Sequence, residues 1–162
     1  MRFSIPLLTL TTLSTLIFAH NLPFTFQHVF SVQITIAPAL PSINVPGGTL
    51  VIEPITGGTV NGTINGTILS GFAYPTSLTN TTIDNPSITL YGLTDDNQTF
   101  YVSEMGTGSR ACQVTRIEMK INGTRYQEFN NGFLVASVVP RNETFVDVEV
   151  YLVGNVASDC GA

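Results

Sequence analysis

Two-residue alternation of bulky apolar and polar side chains runs through this sequence from Phe24 to Val153, and it confines the chain to β-strands. In the first stretch Phe24, Phe26, His28, Phe30, Val32, Ile34 and Ile36 fall on one face, with Thr25, Gln27, Ser31, Gln33 and Thr35 on the other. Side chains repeating at every second position can be buried together only as one face of a sheet. The apolar row is therefore expected to point inward, with His28 as its single polar member.

The same pattern divides the rest of the chain. Leu50 to Ile55 reads as a second strand closed by Gly57-Gly58, and Thr59 to Phe72 as a third. In the third, Asn61, Thr63, Asn65 and Thr67 share one face, expected outward, and Ile64, Ile68 and Phe72 share the other, expected inward. Residues 75 to 86 lack periodicity and read as a polar loop. Ser87 to Leu93 and Thr99 to Met105 read as a hairpin about Asp95-Asp96-Asn97, a cluster of turn formers, and Gly106 to Gly108 breaks the pattern. Val114 to Ile121 directs Ile117, Met119 and Ile121 inward. Asn122-Gly123 signals a tight turn, and Thr124 to Phe129 is the expected return strand. Phe133 to Val139 and Thr144 to Val153 complete the set, and no helical period persists for three turns.

About nine strands with turns roughly every ten residues predict one all-β, antiparallel domain, a sandwich or barrel, in which closure removes exposed edges. A barrel of this size can hold one small ligand.

Residues 1–19 have the form of a secretory signal: Arg2, an apolar run from Ile5 to Phe18, and small Ala19 at the cleavage position. The run is interrupted by threonines and is shorter than the roughly 20 residues of a membrane span. Residues 20–162 then make one domain, free of the membrane once the signal is removed. Six tripeptides fit the N-glycosylation pattern, at Asn61, Asn65, Asn80, Asn97, Asn122 and Asn142. Asn85 does not, because Pro86 follows it. The chain thus reads as a secreted, extracellular glycoprotein.

In an oxidising compartment its two cysteines, Cys112 and Cys160, are most simply a disulfide, worth about 4 kcal/mol by loop-entropy arithmetic. Two cysteines so far apart lack the spacing of a metal site. Only 10% of residues are charged and the net charge is −5, which argues against a nucleic-acid partner, since phosphate recognition needs clustered Lys and Arg.

The stretch from Pro46 through Gly47-Gly48-Thr49-Leu50-Val51-Ile52-Glu53-Pro54-Ile55-Thr56-Gly57-Gly58 to Gly62 resembles the signature of the DUF3237 family, also called UPF0311. Ile64 to Gly71 and Tyr91 to Asn97 continue the likeness in order, so that it spans roughly residues 24–153. The resemblance implies an antiparallel, calycin-like β-barrel and no settled activity. Many bacterial relatives carry Gly-Gly-x-Asp-Trp after the third strand. Here Gly71-Phe72-Ala73-Tyr74 stands instead, so the carboxylate is lost at Ala73 and an aromatic is kept at Tyr74. The signal and the sequons make the chain look like a secreted fungal-type member.

Two residues are candidates for catalysis. His28 sits in an apolar row and is a potential general base, with a core or rim histidine as the plainer reading. Glu53 shares parity with Val51 and Ile55, so an interior face would desolvate it and raise its pKa, while an exterior face would leave it as soluble surface. A ligand inside the barrel is expected to meet Phe26, His28, Phe30, Glu53, Ile64, Phe72, Tyr74 and Tyr91. Asp95 and Asp96 read as turn residues, with Glu104, Arg110 and Arg116 as their cross-strand partners.

His20 would become the amino terminus after cleavage, but a copper brace needs a second nearby histidine. His28 lies about 26 Å away along a straight strand. No nucleophile elbow, Walker loop, zinc-protease helix or Cys-x-x-Cys motif occurs, so no cofactor is expected. A small hydrophobic ligand is the expected partner. An enzyme using a cavity Glu or His, and a structural cell-wall glycoprotein with a filled core, are the alternatives.

Overall fold

The computed structural model describes residues 24–155. The signal segment, His20 and Cys160 lie outside the described residues. The described strands are β1 (Phe24–Ile36), β2 (Ile43–Val45), β3 (Gly48–Leu50), β4 (Glu53–Gly62), β5 (Gly66–Ala73), β6 (Thr76–Leu78), β7 (Ile83–Asn85), β8 (Ser87–Thr94), β9 (Thr99–Ser109), β10 (Cys112–Ile121), β11 (Phe133–Pro140) and β12 (Phe145–Asn155). All pairings are antiparallel. The order β10-β11-β12-β1-β4-β5-β8-β9 closes on itself through β9 and β10, which gives an eight-stranded barrel. The short strands β7, β6, β3 and β2 extend from the end of β9 as a side flap. The expected all-β barrel is thus present, with eight strands in the ring and four beside it rather than about nine in all.

β10 shows why these sequences make strands. Gln113, Thr115, Ile117, Met119 and Ile121 are buried, and every residue between them is exposed. The inward residues of the ring meet in one core that includes Ile34, Ile68, Phe100, Leu134, Val148 and Val150. Asn61, Thr63, Asn65 and Thr67 are exposed while Ile64 and Ile68 are buried, as the alternation requires.

Three β-bulges break the parity elsewhere. Val29 is an extra residue in β1 against β12, Thr56 in β4 against β1, and Leu69 in β5 against β8. An inserted residue swaps the faces of everything beyond it. Consequently Phe24, Phe26 and His28 stand on the outer wall while Phe30 and Ile34 turn inward, and Phe72 stands outside although Ile68 is inside. The expectation of one inward row from Phe24 to Ile36 is corrected by the bulge at Val29.

Element boundaries also move. Gly57-Gly58, expected as a turn, lies within β4. A Cβ at Gly58 would meet the Gln33 carbonyl, so glycine there lets β1 and β4 approach. The turn falls instead between Gly62 and Gly66. The expected loop 75–86 contains β6 and β7, and Gly106 to Gly108 continue β9. After Gly123, at φ 93°, the expected return strand is a 3-10 turn (Thr124–Tyr126) followed by a short helix, α1 (Gln127–Asn131). Tyr126 and Phe129, three apart, both turn into the end of the barrel, a spacing that a helix satisfies and a strand does not. Phe129 meets Phe30 edge-on at 6.0 Å and plugs that end.

The plugged end is tied by its loops. Tyr126 Oη donates to Asp96 Oδ1 at 2.8 Å, Asn122 Nδ2 donates to Gln98 Oε1 at 3.0 Å, and the Asp95 amide donates to the Asn65 carbonyl at 2.9 Å. The expected pairing of Asp95 and Asp96 with Glu104, Arg110 and Arg116 does not form: Arg116 meets Glu118 at 3.2 Å, and Glu104 is inside the barrel.

Candidate functional site

The opposite end of the barrel is open. A cavity of about 620 Å³ lies between the segment after β1, the β9–β10 and β11–β12 turns, and the flap. Its walls are inward residues of the last barrel layer, among them Ile34, Ile55, Ile88, Val138 and Val146. Its polar side is built by Glu53, Ser77, Asp84, Arg110 and Gln113.

Each polar group arrives there for a local reason. Glu53 opens β4 two residues before buried Ile55, on the same face, because the bulge at Thr56 comes after both. Ser77 and Asp84 face each other across β6 and β7, and Ser77 Oγ donates to Asp84 Oδ1 at 2.6 Å. Arg110 sits at the tip between β9 and β10, and Gln113 is the first inward residue of β10. Partial burial raises the Glu53 pKa. The Arg110 guanidinium opposes that rise and the Asp84 carboxylate adds to it. A carboxyl in that environment can hold or give up a proton beside a bound molecule, next to a cation that can orient an oxygen.

Of the residues expected to meet a ligand, Glu53 alone borders this cavity. Phe30 and Ile64 are buried deeper, around a separate void of about 30 Å³. Phe26 is 58% exposed, Tyr91 48% and Phe72 44%, all on the outer wall, and Tyr74 stacks on Phe72 with ring centroids 6.0 Å apart. Their expected interior positions are corrected: the bulges at Val29 and Leu69 turn Phe26 and Phe72 outward, and Tyr91 follows its cross-strand neighbours Ser70 and Tyr101.

His28 is also outside. Its Nε2 donates to Glu149 Oε2 at 2.7 Å, and Ser31 Oγ donates to the same oxygen at 2.6 Å. The three residue types resemble a hydrolytic triad, but the hydroxyl gives its proton to the carboxylate rather than to the imidazole, and the group lies on an exposed wall, away from the cavity of about 620 Å³. His28 and Glu53 therefore diverge and share no site. Cys112 is exposed at the start of β10, and its expected disulfide partner lies outside the described residues.

The buried positions of Asp84, Gln113 and Glu104, and the place of exposed Arg110 at the cavity mouth, were not foreseen. For Glu104 a signal existed, since it follows Phe100 and Val102 at two-residue spacing. For Asp84 there was none, because β7 is three residues long and too short to show a period.

The chain is thus an eight-stranded antiparallel barrel, plugged at one end and open at the other to an apolar cavity with a polar corner. The profile described as "Protein of unknown function (DUF3237)" matches residues 24–116, and the chain belongs to that family. No curated protein matches the chain.

Among solved structures, the chain is similar to the conserved protein of unknown function RPA1785 from Rhodopseudomonas palustris, at 21% identity and a TM-score of 0.74 over 83% of this chain and 100% of that one. It is also similar to a beta-barrel like protein, ABAYE2633, from Acinetobacter baumannii AYE, at 17% identity and a TM-score of 0.73 over 84% and 99%. An enzyme from Penicillium herquei is similar at 18% identity and a TM-score of 0.64 over 82% and 98%. At these identities the likeness establishes the fold.

Proposed function

We propose that this protein is a secreted glycoprotein that binds a small, largely apolar molecule in the open mouth of its barrel. The observation that carries the reading is the cavity of about 620 Å³, within the size range of small-molecule sites, with aliphatic walls and its polar groups gathered on one side. Such a division fixes a ligand's orientation through a few polar contacts while burial of its body supplies the affinity. A cavity of this size speaks against a structural glycoprotein with a filled core.

Secretion and glycosylation belong to the same proposal. They are supported by the signal-like residues 1–19 and by the exposure of Asn61, Asn65, Asn80, Asn97, Asn122 and Asn142. A mass shift on endoglycosidase treatment of protein from a secretory host is the expected result, and an unchanged mass would remove that part of the reading.

Titration with the apolar fluorophore 8-anilinonaphthalene-1-sulfonate tests the binding site. Saturable binding is expected for the wild type and its loss for Ile88→Trp, which fills the cavity. No binding at high micromolar probe, or equal binding by the filled variant, would overturn the proposal.

A second reading is favoured by Glu53: an enzyme that isomerises, cyclises or hydrolyses its ligand with this carboxyl as acid or base. The structural similarity to a protein described as an enzyme is consistent with it. Once a substrate is found, Glu53→Gln should abolish turnover and leave binding in place. Unchanged turnover would eliminate Glu53.

A further inference from the structure

A polar stripe descends the inner wall below the cavity. Gln113 borders the cavity, and two residues further along the same face of β10 Thr115 donates its hydroxyl proton to Glu104 Oε1 on β9. Glu104 is 2% exposed, and among the described residues its Oε2 has no hydrogen-bond partner. No fully enclosed side-chain polar atom among those residues lacks a partner, so Oε2 borders open space. The open space that Glu104 lines is the void of about 30 Å³, whose other walls are apolar side chains such as Phe30, Ile68, Leu90 and Phe100. Ile34 lines both this void and the cavity above it.

The chemistry of the void is specific. Buried waters usually make two to four hydrogen bonds, and here a water would find one polar wall group. An apolar ligand end carrying a single acceptor atom suits such a lining better. Because Thr115 donates to Oε1, a neutral Glu104 carries its proton on Oε2, facing the void. Burial pushes the Glu104 pKa up to about 7, against the opposing pull of the Thr115 hydroxyl. The neighbouring strands offer no countercharge: Ile88 on β8 and Ile117 on β10 pair with Glu104, and Leu90 lies beyond. Glu53, Asp84 and Arg110 line the upper cavity, not this void.

We propose that Glu104 is the hydrogen-bond donor of a deep subsite, entered past Ile34, which receives the carbonyl oxygen of a neutral ketone-type ligand whose apolar body fills the upper cavity. This rests on the cavity-binding reading and specifies the ligand class for it. At about 30 Å³ against about 620 Å³ the void is far the smaller of the two spaces, which suits it to the ligand's carbonyl end and the upper cavity to its body.

Two probes of nearly the same outline test it, 2-acetylnaphthalene and 2-ethylnaphthalene, titrated calorimetrically. At about pH 6 the wild type should bind the ketone about tenfold more tightly than the hydrocarbon, the value of one net hydrogen bond. Near pH 8.5, where the carboxylate has no proton to donate, the preference should vanish. Glu104→Gln, whose amide still donates, should keep the preference at both pH values, and Glu104→Leu should lack it at both.

A preference that persists in Glu104→Leu, or that ignores pH in the wild type, would overturn the inference. Circular dichroism verifies the fold of Glu104→Leu, and should that variant not fold, the wild-type pH series and Glu104→Gln still decide the matter. Equal affinity of the wild type for the two probes would sink the deep subsite and leave the cavity reading intact. Binding of neither would sink both.

Discussion

Glu104 is a carboxyl where every neighbouring inward position on its own strand, Phe100 and Val102, is apolar. Its pKa, near 4.5 when solvated, stands at about 7 in the folded barrel. Between those values the folded state holds a proton that the unfolded state has released. The contribution of Glu104 to stability is therefore fully present below about pH 4.5, falls as pH rises toward 7, and levels off above it, with a total loss of roughly 3 kcal/mol. Asp96 and Asp147 act with the opposite sign at lower pH. Hydrogen bonds from Thr94 and Tyr126 to Asp96, and from Arg141 to Asp147, hold these carboxyls below their ordinary range, so their contribution is lost on acidification below about pH 4. Urea midpoints measured from pH 5 to 8 should fall for the wild type and fall distinctly less for Glu104→Gln, in which partly buried Glu53 still adds a slope of the same sign. Parallel curves would show that Glu104 is not the group responsible.

At the scale of elements, the barrel depends on places where two strands come closer than side chains permit. Gly92 in β8 faces the Phe100 ring and the Thr67 carbonyl, and a Cβ there would collide with both. Gly92→Ala should cost about 2–4 kcal/mol, read as a lowered thermal midpoint, because an overpacked core must shift backbone rather than a flexible tip. Phe129→Ala should cost about 3–5 kcal/mol, since it unplugs the closed end and strips Phe30 of its aromatic neighbour. A change below about 1 kcal/mol in either variant would contradict the packing described.

Much of the element pattern was legible beforehand. The even alternation of β10, the hairpin of β8 and β9, and the span of β1 follow directly from residue order. The faces of Phe26, His28 and Phe72 did not, because one unpaired residue upstream or downstream reverses them and a bulge leaves no fixed signature in composition. The helical turn after Gly123 was masked by an Asn-Gly pair that favours hairpins in general. The polar corner of the cavity was hidden for a third reason: Asp84 and Arg110 lie on a three-residue strand and a turn, where no period can develop. For Glu53 the residue order left both faces open, and it borders the cavity because it precedes the bulge of its own strand.

At the scale of the whole molecule, the ring closes when the first barrel strand meets the last, with His28 opposite Tyr151 and Val32 opposite Val148. Contacts of such sequence separation demand loop closure before they stabilise anything, so refolding should be slow, on the order of milliseconds to seconds. Native-state hydrogen exchange should show amides of β1 and β12 opening only with global unfolding, while the flap strands β2 and β3 exchange at lower cost. Early exchange confined to β12 would contradict a cooperative ring. The bulges matter at this scale as well. Since a single surplus residue decides which side chains reach the lumen, gain or loss of one amino acid near Val29 or Leu69 would exchange lumen and solvent faces along half a strand at once. A related chain compared with this one position by position, without regard to those two places, would have its binding surface assigned to its exterior.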